Sequence, residues 1–491
     1  MKKNVIVKAS VFFLILSLSH FAYPDASKTD KRIRIKQYGI TWIFDHPVKS
    51  GQFVNGDWWI VGPATIVRII PAPGPAHYTE NNNITVNRWG DTSLRNDASM
   101  RNGSMIIRRA GMLQSYDSRA GNFNKNAGVS LPLQLAPGTS LISTISNPTL
   151  PVDNFCHKIM WRSEKKVQTA LQTAAVLTCL AESPPADAFR PAYAGEQKQI
   201  YRSSRLQWEL LSNLKPPGDV PPWDDFERYF QRPWIDHVTS WIQEELVPNE
   251  NQPCYGREYA RLVSIASLMV HLDVSKKRKE KLVIGLVQLG IDLSGIAHAG
   301  GSWNEGGGHS SGRKWPILFA SLMLDEPSLA KLPESAIFQE DTQTYYGKGW
   351  FGQTALWQMI LHHGKRDPYE EKRPETWNKW DRTSESYRCC CTAVSWVGTA
   401  LAARQMKAIQ LWGHDAFFDY VDRWMQKDDP YTKRRGKHKR PSCEAKTFDK
   451  FVDGMWEAYR QSTPQQDMSK INMKFVSEKG KWKWVHNPKD K

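Results

Sequence analysis

The chain has 491 residues, 40% hydrophobic, 11% aromatic and 24% charged, a balance that excludes a disordered or collagen-like protein and leaves ample chain for a core. Lysine and arginine number 66 against 50 acidic residues, a formal charge of +16, and tryptophan occurs 21 times. The basic balance points to an anionic partner (nucleic acid, acidic glycan or an anionic membrane surface), with basic faces that serve only solubility as the alternative.

In chain order, Met1-Lys2-Lys3 precedes an apolar stretch from Ala9 to Leu18, and small residues follow at Ala22 and Ala26. A basic start, a short apolar run and a small-residue exit predict a secretory signal peptide over residues 1–26. The run is shorter than the roughly 20 residues that span a bilayer, and no later stretch qualifies. The expectation is a secreted or periplasmic chain with no transmembrane segment in its mature form. Export disfavours nucleic acid as a partner, and no zinc-finger, RNP or basic-zipper pattern occurs. Cys156, Cys179, Cys254, Cys389, Cys390, Cys391 and Cys443 are odd in number, so disulfides are permitted with their connectivity open. The Cys389–Cys391 run lacks metal-site spacing. No cofactor is predicted, and a structural metal is left open.

Residues 33–182 read as β. Tyr38–Phe44 is aromatic and β-branched. Asn55-Gly56 between Gln52–Val54 and Asp57–Val61 is a hairpin signal. Ala64–Ile70, Val129–Leu135, Ser140–Ile145 and Ala174–Leu180 continue as strands between Pro/Gly turns, a spacing that predicts a sandwich. Glu80–Asn126 is polar and aperiodic, a long loop system. Residues 183–202, with Ser183-Pro184-Pro185 and Arg190-Pro191, read as a linker.

From residue 203 to 462 the period becomes helical. Tyr255, Tyr259, Leu262, Val263, Ala266 and Met269 form one stripe, and Leu282, Val283, Leu286, Leu289 and Leu293 another. Further helices are expected at Asp225–Leu246, Trp315–Leu324, Gln353–His363, Ala393–Lys407, Ala416–Gln426 and Phe448–Gln461. The predicted fold is multidomain α+β, an N-terminal β-sandwich-like domain followed by an all-α (α/α) toroid or barrel. Residues 463–491 form a polar, basic tail. The basic run Lys433–Arg440 is read as a solvated loop, with a glycan-binding patch as the alternative.

Gly300–Pro316 is the segment most suited to chemistry. It gathers Trp303, Asn304, Glu305, His309, Arg313 and Lys314 between glycines, and glycine lets backbone turn sharply or approach a ligand. Its spacing does not match a phosphate-binding loop. Tyr345 and Tyr346 follow Glu340-Asp341 in a second polar connection. Tyr255 and Arg257, and Tyr387 and Arg388, stand at two further helix starts. Each arginine alone reads as a structural ion-pair partner; the recurrence of Tyr and Arg at helix entrances is the functional signal.

With its signal peptide, its β module joined to a helical one, its many aromatics and the Gly-His-Arg loop at 300–316, the chain resembles exported polysaccharide lyases of the α/α-toroid type. That resemblance implies cleavage of an acidic, uronate-containing polysaccharide by β-elimination. Such a reaction needs a group to neutralise the substrate carboxylate, a base for the adjacent proton and an acid for the leaving oxygen. Arg313, Arg388 and Asn304 are the candidates for the first role, His309 for the base and Tyr345 or Tyr346 for the acid. Trp303, Tyr255, Arg257 and Tyr387 complete the candidate substrate contacts. A glycoside hydrolase using two of Glu305, Glu340, Asp341 and Asp225 is one alternative. A non-enzymatic exported glycan-binding or surface protein is the other.

Overall fold

The computed structural model describes residues 30–74, 100–148, 150, 152–153, 166–167, 169–253, 256–304, 307–360, 366–426 and 446–463, with the backbone of 473–478 and 481–486. The expected signal peptide, Cys156, Cys254, Tyr255, Glu305, Cys443 and the basic run 433–440 lie outside the described residues.

The N-terminal strands are β1 (Asp30–Gln37), β2 (Ile40–Gln52), β3 (Trp58–Val61), β4 (Ala64–Ile70), β5 (Ser104–Ile106), β6 (Leu133–Leu135) and β7 (Thr139–Ser146), then the short pair β8 (Val152–Asp153) and β9 (Lys166–Val167), and β10 (Leu171–Leu180). Eight of them form one curled mixed sheet in the order β5-β7-β10-β3-β2-β4-β6, with β1 also on β2. Only the β10–β3 pairing is parallel within it. The curl has a local cause in β2. Its pairing with β1 jumps from Val48 to Ile43, and the intervening Asp45-His46-Pro47 is exposed. Proline has no N–H to give a ladder, so β2 bends there, its first half pairing with β4 and its last residues with β3.

The expected sandwich is therefore not formed. Alternation along the strands is real but feeds two different partners. Leu141, Ala175 and Leu177 join Trp42, Phe44, Ile60 and Ile66 in the core inside the curl. Ile142, Ala174 and Val176 face the other way, into a core shared with the helices. A helical body, not a second sheet, covers that face.

That body is not an all-α toroid. Its helices are α1 (Trp223–Gln231), α2 (Gly256–Met269), α3 (Lys276–His298), α4 (Lys314–Leu324), α5 (Gln339–Gln343), α6 (Lys379–Tyr387), α7 (Ala393–Gln405), α8 (Ile409–Trp412), α9 (Asp415–Trp424) and α10 (Lys450–Tyr459). The helix expected at 225–246 stops at Gln231, just before Arg232-Pro233, and resumes only as a 3₁₀ segment, Trp241–Leu246. The helix expected at 353–363 is replaced by short strands. β11 (Thr344–Tyr346) pairs β12 (Ala355–Trp357), and β13 (Met359–Ile360) pairs β14 (Arg366–Asp367). Short apolar runs carry no period that separates strand from helix. A last hairpin joins β15 (Met473–Glu478) to β16 (Lys481–His486).

A buried ion network ties sheet to helices. Asp57, at the start of the β3 arm, and Asp292, on α3, both accept from Arg190, at 2.6 Å and at 2.8 and 2.5 Å. Arg190 is 0% exposed. The segment expected to be a linker thus contains a fully buried cross-brace.

Candidate active site

The 300–316 loop leaves α3 and enters α4, and several of its described residues are pinned by hydrogen bonds. Trp303 donates from Nε1 to Asp236 at 3.0 Å and stacks on Phe338. Arg313 grips the same carboxylate, donating from Nε and Nη2 at 3.0 Å each, and also donates to the His309 and Ser311 carbonyls. Its guanidinium lies 3.6 Å over the Tyr259 ring. Ser310 N–H donates to Gln339, Gly312 N–H to Glu340, and Trp396 Nε1–H to the Ser311 hydroxyl.

Gly307 and Gly308 both have positive φ, +61° and +98°. A Cβ at Gly307 would meet the Tyr387 ring at 2.6 Å, and one at Gly308 the Cys391 carbonyl oxygen at 2.3 Å. Only glycine allows that turn and that contact together. Gly256, the first residue of α2, abuts the His309 backbone just as closely. The loop is thereby wedged between the start of α2 and the π-helical turn Arg388–Thr392. His309, Arg257, Tyr387 and the cysteine run come together at this junction.

The side chains left open here are few. His309 is partly exposed, and its Nδ1 lies 3.4 Å from Glu244 Oε1, with the two side chains 19% and 22% exposed. Asn304 is exposed. Tyr387 is half-buried; burial, then the Cys391 and Cys390 thiols, raise its pKa, so it holds its proton through the neutral range. Glu244 lies in the 3₁₀ segment Trp241–Leu246, opened by Ser240, whose hydroxyl accepts from Ile242 N–H. In a 3₁₀ helix residues i and i+3 eclipse. Trp241, 51% exposed, therefore stands on the same side as Glu244.

The other expected site residues are engaged inside the protein. Arg388 is 0% exposed and donates to Glu385 at 2.7 and 2.8 Å. Burial opposes its charge, but Glu385 more than offsets this and its pKa is raised. Arg313 follows the same pattern with Asp236. Arg257 is buried, bonding Glu258 and the Cys390 carbonyl. Burial works against the Glu258 carboxylate, yet Arg261 and Arg257 hold its pKa below the usual value. Tyr345 is 2% exposed, donates to Glu371 at 2.9 Å and lies under Arg366. Tyr346 donates to Asp419. Burial, then these carboxylates, push both phenols up. Both phenols donate to carboxylates outside the 300–316 loop. Trp303 is 1% exposed, a packing residue. Tyr255 lies outside the described residues.

Comparisons with known protein families, with curated proteins and with solved structures return no match to this chain.

Glu244 and Trp241 are not among the residues the sequence singles out, because Asp225–Leu246 carries the pattern of one helix. The available signal was Ser240-Trp241-Ile242-Gln243-Glu244, a capping-type start with an aromatic and an acid three apart. Among the described residues no group of His, Cys, Asp or Glu is arranged to hold a metal ion.

Proposed function

We propose that the chain is an exported glycan-active enzyme that cleaves an acidic, uronate-containing polysaccharide by β-elimination at His309. The observation that carries this reading is the partly open His309–Glu244 pair beside the exposed Trp241. A carboxylate 3.4 Å from Nδ1 favours the neutral imidazole tautomer that carries its proton on that nitrogen. The other ring nitrogen is then the base that takes the proton next to the substrate carboxylate. Asn304 supplies an amide donor to that carboxylate as negative charge develops on it. The C–O bond breaks as the C=C bond forms, and Tyr387, which keeps its phenolic proton, gives it to the departing oxygen. Trp241 offers a flat apolar face to a sugar ring. Export is supported by the N-terminal sequence and by the disulfide at Cys389, a bond that persists in oxidising compartments.

The hydrolase alternative loses support from two of its carboxylates. Glu340 is 2% exposed and holds Gly312 N–H, while Asp341 is paired to Lys314. The binding-protein alternative keeps one supporting observation, the further exposed tryptophans Trp350 and Trp380.

The test is incubation of the purified protein with a panel of uronate polysaccharides, following the ultraviolet absorbance of the unsaturated product. His309→Ala is expected to reduce the rate about 10²–10⁴-fold, the usual worth of a general base. Reducing ends on neutral glycans without unsaturated product would replace this reading by hydrolysis. Saturable glycan binding without any product would replace it by the binding protein.

A further inference from the structure

A second concave feature lies apart from His309. It is a groove of about 1420 Å³ between the chain leaving β5, the C-terminal end of α3 and residues 192–201. That exceeds the roughly 300–1,000 Å³ of ordinary small-molecule sites. Its walls are held by backbone bonds: Ala110 N–H to the Ala299 carbonyl, Gly111 N–H to that of His237, and Gly195 N–H to that of Ile107, at 2.9, 3.0 and 2.8 Å. The groove is therefore preformed.

Three properties of the lining point to one kind of ligand. First, the apolar part is mainly aliphatic, with Met105, Ile107, Met112, Leu113, Ile291 and Leu329, and Tyr201 is its large aromatic. Met112 and Leu113 are 52% and 56% exposed at the rim. None of the described lining residues is tryptophan, although the chain has 21, so Tyr201 is the one large aromatic face among them. Second, Arg108, Arg109 and Lys331 stand exposed on the rim against a single acid, Glu196, itself 3.7 Å from Arg108. Third, the lining includes a buried polar atom without a protein partner. His237 is 2% exposed, its Nε2 meets the Tyr116 hydroxyl at 3.1 Å, and its Nδ1 has no hydrogen bond. Burial holds the ring neutral down to about 3. In either tautomer, Nδ1 offers a donor or an acceptor that the protein leaves unused. A buried polar group in that condition calls for a ligand or water.

We propose that this groove is a binding site for an anionic amphiphile, a carboxylate or phosphate head on an extended aliphatic body. The aliphatic body lies along Met105, Ile107, Ile291 and Leu329, and the head meets Arg108, Arg109 and Lys331. The site does not depend on the reading of His309, which is not among the lining residues.

The test is calorimetric titration of the whole protein with sodium dodecanoate below its micelle concentration. Dodecanol, acetate and a uronate trisaccharide are titrated in parallel. Saturable one-to-one binding of dodecanoate is expected, with dodecanol and acetate each at least about tenfold weaker because each lacks one half of the recognition. The exposed double variant Arg109→Glu/Lys331→Glu is expected to weaken dodecanoate about tenfold or more without changing the melting temperature. Absence of saturable dodecanoate binding, binding indifferent to the rim variant, or tighter binding of the trisaccharide than of dodecanoate would overturn the proposal. None of these results bears on elimination at His309, which is read from product absorbance.

Discussion

Replacing Arg190 by methionine tests whether sheet and helices are joined electrostatically. The guanidinium is 0% exposed and holds Asp57 on one side and Asp292 on the other. Methionine keeps much of the volume but leaves two buried carboxylates without their cation. Breaking a buried pair by removing one partner costs about 3–5 kcal/mol, against a total stability of about 5–15 kcal/mol. Burial already raises the Asp292 pKa, with Arg190 as its main counterweight, so the variant should raise it further. A carboxyl with a raised folded pKa contributes its full stability below the unfolded value, about 3.9, and loses it as pH climbs through the folded value. At pH 5 protonation therefore caps the Asp292 contribution at about 1.5 kcal/mol, from about 1.1 pH units at 1.36 kcal/mol each. Urea unfolding followed by tryptophan fluorescence, variant against parent at pH 7.5 and pH 5, reads both quantities. The deficit should be about 3–5 kcal/mol at pH 7.5 and smaller at pH 5. A deficit under about 1 kcal/mol at pH 7.5, or one equal at both pH values, would refute the argument.

Other perturbations probe the site and its supports. Gly308→Ala places a Cβ 2.3 Å from the Cys391 carbonyl oxygen at φ +98°. It should lower stability by about 1–3 kcal/mol and reduce turnover with it, read as melting temperature and product absorbance. The Glu340 carboxyl is pushed up to about 7, mainly by burial. Its contribution is full below the ordinary 4.5 and lost as pH rises through 7, up to about 3 kcal/mol. Glu340→Gln should therefore flatten the fall in melting temperature between pH 5 and pH 8. Trp241→Ala, at a 51% exposed position, should change stability by no more than about 0.5 kcal/mol while raising KM for the polysaccharide severalfold. An unchanged KM would remove Trp241 from the substrate site.

The sequence alone determined where most elements begin and what they are made of. The β-branched and aromatic runs between turns became β2, β3, β4, β6, β7 and β10, and the two long stripes became α2 and α3, because burying one face of a helix leaves its period in the chain. The Gly-rich loop also announced a close backbone approach, which Gly307 and Gly308 make against Tyr387 and Cys391. The tertiary structure decided what each face meets. Alternation in β7 and β10 is the same whether the second face packs on another sheet or on helices, so a curled sheet on a helical body looked like a sandwich. It also decided which polar residues are open. Arg313 and His309 sit four residues apart in one loop, yet Asp236, distant in sequence, captures the first, and Glu244, from a segment read as ordinary helix, faces the second. An ion pair formed across such separations leaves no local pattern. The difference between a fully buried arginine and a partly exposed histidine appears only when the chain has folded.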